Sequence, residues 1–170
     1  FLATDPAWGG GDYVAGPVCA QYGDDVYVVD VVFTNEDKTK SQPDIAMKAK
    51  RNSVGYLQIE ANKMTEDYKD GVENALKSIG YHCTVQTKPA PTSKSKEQRI
   101  FDKAPDIKEH FIFLEDGKRS KEYQMFMQQV YSFKITGKNK HDDAPDSLAM
   151  AADMLFRKQS PAARAIPRLF

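Results

Sequence analysis

A chain of 170 residues, 41% hydrophobic and 28% charged, has room for one domain of mixed type with a substantial core. Its 24 Lys and Arg balance 24 Asp and Glu, so no global pull on a polyanion is built in, and any nucleic-acid binding must come from local clusters. No apolar run approaches the roughly 20 residues of a membrane span, and no membrane partner is expected. The chain starts at Phe1 without a visible signal peptide, and reads as an excised or processed domain.

Phe1–Thr4 is apolar and stops at Asp5-Pro6, where proline disfavours a continuing ladder. Trp8 and three glycines follow; Trp8 is expected in the core rather than as a stacking platform. "YVAGPVCAQY" and "DVYVVDVVF" form two β-rich runs split by "GDD", a hairpin signal. Asp30, mid-strand in the second run, is expected to face solvent. Cys19 and Cys83 fall in strand-like stretches and are expected as buried free thiols. After Phe33 come a loop and a short helix in "NEDKTKSQPDIAMKAKRNS", then a strand ending at Glu60. "MTEDYKDGVENALKSIG" has helical spacing, with Gly80 as C-cap. "YHCTVQT" is a further strand, and "KPAPTSKSKEQRIFDKAPDI" a basic loop entering a short helix. "HFIFLED" reads as a short strand and "SKEYQMFMQQVYSF" as a helix. The last helix runs from Asp143 or Ala144 to Lys158, and residues 159–170 form an extended tail with two prolines.

Three meandering strands followed by strand–helix alternation predict an α/β fold: a mixed sheet, antiparallel and then parallel, flanked by helices. Several acids stand at element ends on this map. Asp5 closes the first strand, Glu60 closes the fourth, and Asp142 and Asp143 start the last helix. If the first and fourth strands are neighbours, Asp5 and Glu60 sit side by side and the helix brings its first turn over them. Each acid also has an ordinary account, as turn starter, solvated strand end or helix cap. Clustered carboxylates kept ionised require cations, and hard oxygen donors favour Mg²⁺ or Mn²⁺.

"LATDPAWGGGDYVA", "YLQIEANKM", "KSKEQRI" and "HDDAPDSLAMA" together resemble the C-terminal nuclease domain of the large terminase subunit of tailed bacteriophages. The resemblance covers nearly the whole chain. It implies a ribonuclease H-like domain over residues 1–158 and an endonuclease that cuts concatemeric viral DNA during genome packaging in the host cytoplasm. It also implies two Mg²⁺ or Mn²⁺ ions. Asp5, Glu60 and Asp143 take the catalytic positions, with Asp142 as an alternative or additional ligand. Asp146 is a further carboxylate one turn on. Asp12, after the glycines, either approaches the second metal or is an ordinary strand-start acid. The implied partners are double-stranded DNA, the ATPase domain of the same full-length subunit, and the portal and small terminase subunit; the tail would reach the portal. No GKS or GKT phosphate loop is present, so ATP hydrolysis is not expected of this domain.

Two segments flank these acids with positive charge: one carries Lys94, Lys96 and Arg99, the other Lys138 and Lys140. Both suit salt-dependent phosphate contacts. His141 is open to three readings: orienting a carboxylate, approaching a phosphate, or a neutral loop residue. Two competing functions fit the same acids, a junction resolvase of the same fold and a non-catalytic DNA-binding or docking module.

Overall fold

The computed structural model describes residues 1–7, 11–61, 65–90 and 92–156. Trp8, Lys158 and the tail expected at 159–170 lie outside the described residues. Six strands and five α-helices follow in the order β1 (Leu2–Thr4), β2 (Val14–Tyr22), β3 (Asp25–Thr34), α1 (Lys38–Arg51), β4 (Tyr56–Ala61), α2 (Thr65–Ser78), β5 (Thr84–Pro89), α3 (Lys96–His110), β6 (Phe111–Phe113), α4 (Lys121–Ser132) and α5 (Asp143–Leu155). The sheet order is β5-β4-β1-β2-β3-β6. β1, β2 and β3 are antiparallel neighbours, whereas β4 on β1, β5 on β4 and β6 on β3 are parallel. The meander-then-crossover pattern is thus the one the sequence predicts.

Side-chain alternation along the strands splits the core into two layers. Ala3, Val28, Val31 and Phe33 pack with Phe126, Leu148 and Ala152, so α4 and α5 cover one face. Leu2, Val14, Val32 and Ile59 pack with Ile45, Tyr68 and Val72, so α1 and α2 cover the other. α5 docks through one apolar face: Leu148, Ala151 and Ala152 are buried, and Leu155 packs partly against them. Among the described residues no helix is long and apolar enough to cross a membrane.

β1 has only three residues, yet all three are fully buried between β2 and β4. Its close fit depends on Gly16 in β2. A Cβ at Gly16 would lie 2.7 Å from the Ala3 carbonyl oxygen and 2.9 Å from Thr4 Cβ. Gly16→Ala is expected to destabilise the domain by about 1–3 kcal/mol through overpacking, read as a lower midpoint in urea unfolding. A midpoint equal to that of the parent would show that β1 can shift at no cost.

Four local expectations change. The helices expected to be short are 14 and 15 residues long, with Pro43 and Pro105 inside them. Each proline removes one backbone donor, but buried Ile45, Ala46 and Ala49 anchor α1, and Ile100 with Ile107 anchors α3. Asp30 is buried rather than solvated: it pairs with Arg51 and accepts from Asn52 Nδ2 at 2.8 Å, tying the end of α1 to β3. Cys19 is buried in β2, but Cys83 precedes β5 and is only half-buried. Both thiols are free.

Candidate functional site

The parallel register of β1 on β4 pairs Thr4 with Ile59, so the next residues in each chain, Asp5 and Glu60, emerge side by side. Asp5 is fixed further by a bridge to β2, its N–H donating to the Ala15 carbonyl at 3.0 Å. α5 then supplies the third carboxylate. One oxygen each from Asp5, Glu60 and Asp146 lie within 4.8 Å of one another. Asp143, one turn earlier, joins a second group with Asp12 and His141, again within 4.8 Å. The first turn of α5 therefore serves both groups, and the residue meeting Asp5 and Glu60 is Asp146.

The start of α5 is held by an unexpected partner. Asp142 occupies the N-cap position but its side chain makes no capping bond. Instead the Ala144 N–H donates to Oε1 of buried Gln129 in α4 at 2.5 Å. Pro145 stands in the first turn, where a missing N–H costs nothing. The aspartates are thereby released from the capping role that the sequence allows them. Asp143 Oδ2 accepts the Tyr13 N–H at 3.2 Å, and Asp142 turns to Lys96.

Among the described residues two cations face these acids, both from α3. Lys96 Nζ lies 3.0 Å from Asp142, 3.4 Å from Asp143, 3.7 Å from Asp146 and 4.0 Å from Asp5. Arg99 reaches Asp146 at 2.9 Å and Glu60 at 3.4 Å, and its Nε is buried without a hydrogen-bond partner among the described residues. Ser95, accepting from the Gln98 N–H at 3.2 Å, caps α3 and sets the angle at which both side chains enter. Lys96 and Arg99 thus point into the acid cluster rather than outward. Lys94 pairs with Asp102 on the surface, and Lys138 and Lys140 are exposed. Sequence reasoning missed Gln129, whose signal is a tertiary contact, and Tyr13, which acts through its backbone.

Two cations do not neutralise five carboxylates, and the protonation equilibria record it. Burial, then the neighbouring Glu60 charge, pushes Asp5 up to about 7, against the opposing pull of Lys96. Burial likewise raises Asp146 to about 6, although Lys96 and Arg99 oppose the shift. Burial alone would lower the Lys96 ammonium, but Asp146, Asp142 and Asp5 together raise it instead. A cleft of about 200 Å³ opens beside the trio, lined by Glu60, Lys88, Arg99, Lys103, Asp146 and Asp153 among others.

The donor set suits hard divalent cations: three carboxylates converge from rigid elements, all oxygen, in a region with surplus negative charge. Similar folds occur in solved structures. The nuclease domain of the large terminase subunit gp2 of bacterial virus Sf6 has 12% identity and a TM-score of 0.59, covering 89% of this chain and 86% of that one. The human cytomegalovirus terminase nuclease domain, Mn-soaked and inhibitor-bound, has 11% identity and a TM-score of 0.61, covering 91% and 81%. The fowlpox virus resolvase, in complex with Holliday junction DNA, has 14% identity and a TM-score of 0.54, covering 92% and 98%. At such identities the likeness concerns the fold. No curated protein matches the chain significantly. Residues 4–112, most of the chain and including Asp5, Glu60, Lys96 and Arg99, match the family described as Terminase Bacteriophage T7, Ribonuclease H-like domain. The fold is ribonuclease H-like, and the chain belongs to that terminase family.

Proposed function

We propose that this domain is a metal-dependent DNA endonuclease that cuts concatemeric viral DNA during genome packaging in the host cytoplasm. The observation that carries the reading is the convergence of the Asp5, Glu60 and Asp146 carboxylates within 4.8 Å. Bound there, two Mg²⁺ or Mn²⁺ ions would supply charge neutralisation, an ionisable water and stabilisation of the departing oxygen. In this reading Asp5, beside Glu60 and Asp146, would help hold both ions. Asp146 closes the trio from α5, and Asp143 and Asp142 extend it toward Lys96. Released from the acids, Lys96 and Arg99 stand where an incoming phosphate would pass. Duplex DNA is the substrate, held by phosphate contacts without sequence preference. The ATPase domain of the same subunit, the portal and the small subunit are the remaining partners in this reading.

Purified protein with Mn²⁺ is expected to nick supercoiled plasmid and linear duplex alike. Strong preference for four-way junctions would favour a resolvase instead, the alternative that the likeness to the fowlpox enzyme keeps open. No cleavage of any DNA at millimolar Mn²⁺ would count against both.

In this reading the exposed lysines before α5 contact DNA rather than metal. Replacing Lys138 and Lys140 by Ala is expected to weaken duplex binding and flatten the slope of log K against log salt by about 1–2, near 0.9 per lost phosphate contact. An unchanged slope would remove this loop from the DNA path.

A further inference from the structure

The cleft beside the acid trio carries a gradient of charge along its length. Glu60 and Lys88 are register partners on the parallel strands β4 and β5, so their side chains leave the same face of the sheet. α5 repeats that order above them. Asp146 meets Glu60 at one end, and Asp153, about two turns on, meets Lys88 Nζ at 2.9 Å. α3 forms the other wall: Arg99 pairs with Glu60 and Asp146, and Lys103, one turn later, lies 3.8 Å from the same Asp153. Ala149 and Met150 line the cleft between the two ends. At the trio end carboxylates outnumber cations, whereas at the far end Lys88 and Lys103 converge on Asp153. Lys103 also lies 3.4 Å from Asp106, but that i,i+3 contact is partly solvated and holds little. The side chains of Lys88 and Lys103 are only 26% and 20% exposed, so salt screens them less than an ordinary surface lysine.

Asp146 and Asp153 stand about 10 Å apart along the axis of α5, and one strand of DNA advances about 3.4 Å per nucleotide. We propose that Lys88 and Lys103 form a phosphate seat for the cleaved strand, about three nucleotides from the bond at the metal site, and that Asp153 fills this seat in the free protein. The incoming phosphate takes over both ammonium partners, and Asp153 turns to solvent. The strand passes along Ala149 and Met150, which offer its phosphates no competing polar contact. Laid in this cleft, the backbone runs in a fixed direction along α5, so the seat sets which phosphate reaches Asp5, Glu60 and Asp146. That positioning role rests on the nuclease reading, because it takes the trio as the place of cutting; the binding of a strand phosphate by the two lysines does not.

The test measures binding of a fluorescent DNA duplex by the full chain in chelator, alongside cleavage with Mn²⁺. Lys88→Met combined with Lys103→Met, which keeps the apolar stems, should weaken binding by about 10-fold or more. It should also flatten the slope of log K against log salt by about 0.9, the value of one phosphate contact. Asp153→Asn should act in the opposite direction and tighten binding by about 2- to 5-fold, since it leaves both lysines to the phosphate. A residue that only braced the fold would not give this reversal of sign, and Asp153→Asn alone decides the matter should the double lysine variant not fold by circular dichroism. Asp153→Asn that binds as the parent does or more weakly overturns the inference. Inorganic phosphate that binds the two lysines, seen by calorimetric titration, while duplex binding ignores them shows a free-ion site only and overturns it too. Cleavage by a protein whose DNA binding is indifferent to all three residues overturns the inference and leaves the nuclease reading standing. Binding that follows these charges in a protein that never cleaves DNA sustains the phosphate seat and removes the nuclease reading.

Discussion

Asp5→Asn is expected to reduce Mn²⁺-dependent DNA cleavage by about 10³-fold or more while making the metal-free protein more stable at pH 7.5. Both effects follow from one position. Asp5 ends a fully buried strand, beside Glu60 and within reach of Asp146. Losing it removes several kcal/mol of metal-borne stabilisation of the reacting phosphate, and each 1.36 kcal/mol is tenfold in rate. In the absence of metal the same carboxylate is a liability. Burial and Glu60 hold it at about 7 instead of 3.8, which sets a ceiling of about 4 kcal/mol on what its ionisation costs the fold. The amide keeps the shape without the charge, and Lys96 keeps Asp142, Asp143 and Asp146 as partners. A gain of at least about 1 kcal/mol, roughly 2–4 °C in Tm for a chain of this size, is the expected reading in a thermal melt with chelator. A variant that loses both activity and stability would mean that Asp5 is structural.

The second large effect is a stability profile that metal inverts. A carboxyl whose pKa is higher folded than unfolded binds more protons in the native state between the two values. Stability therefore falls as pH rises through that interval. For Asp5 the interval runs from 3.8 to about 7, and for Asp146 from 3.8 to about 6. Metal-free protein is accordingly expected to melt higher at pH 5.5 than at pH 8. Saturating Mn²⁺ favours the ionised carboxylates, so it should raise Tm most at pH 8 and least at pH 5.5. Melts across this range, with and without Mn²⁺, separate the account from an ordinary surface-charge effect, which added salt would screen equally in both series. Stability that rises steadily with pH in chelator would refute the uncompensated cluster.

The sequence makes much of this legible, and the residues show where it stops. β-Branched runs and the "GDD" hairpin announce β2 and β3, and the neighbouring Asp5 and Glu60 follow once β1 lies beside β4. α1 and α3 run longer than the sequence predicts: each contains a proline, Pro43 or Pro105, that local propensity disfavours, and the anchoring contacts of Ile45 and Ile100 are tertiary. Asp30 lies buried for a related reason: Arg51 and Asn52 at the end of α1 pair with it, and those partners are tertiary. Which acid of "HDDAPD" meets Asp5 depends on the rotation of α5, and Gln129 sets that helix start from another element. Spacing could place Asp143 and Asp146 on one face but could not choose between them. Lys96 and Arg99 were readable as cations near the acids, not as side chains aimed into them, since that direction comes from the Ser95 cap and the docking of α3.

A crystal soaked in Mn²⁺ tests the central claim most directly. Anomalous density is predicted at coordination distance from Asp5, Glu60 and Asp146, with Lys96 and Arg99 drawn away from those carboxylates. Saturating Mn²⁺ that leaves both side chains on the acids, with no cation between Asp5 and Glu60, would contradict the account.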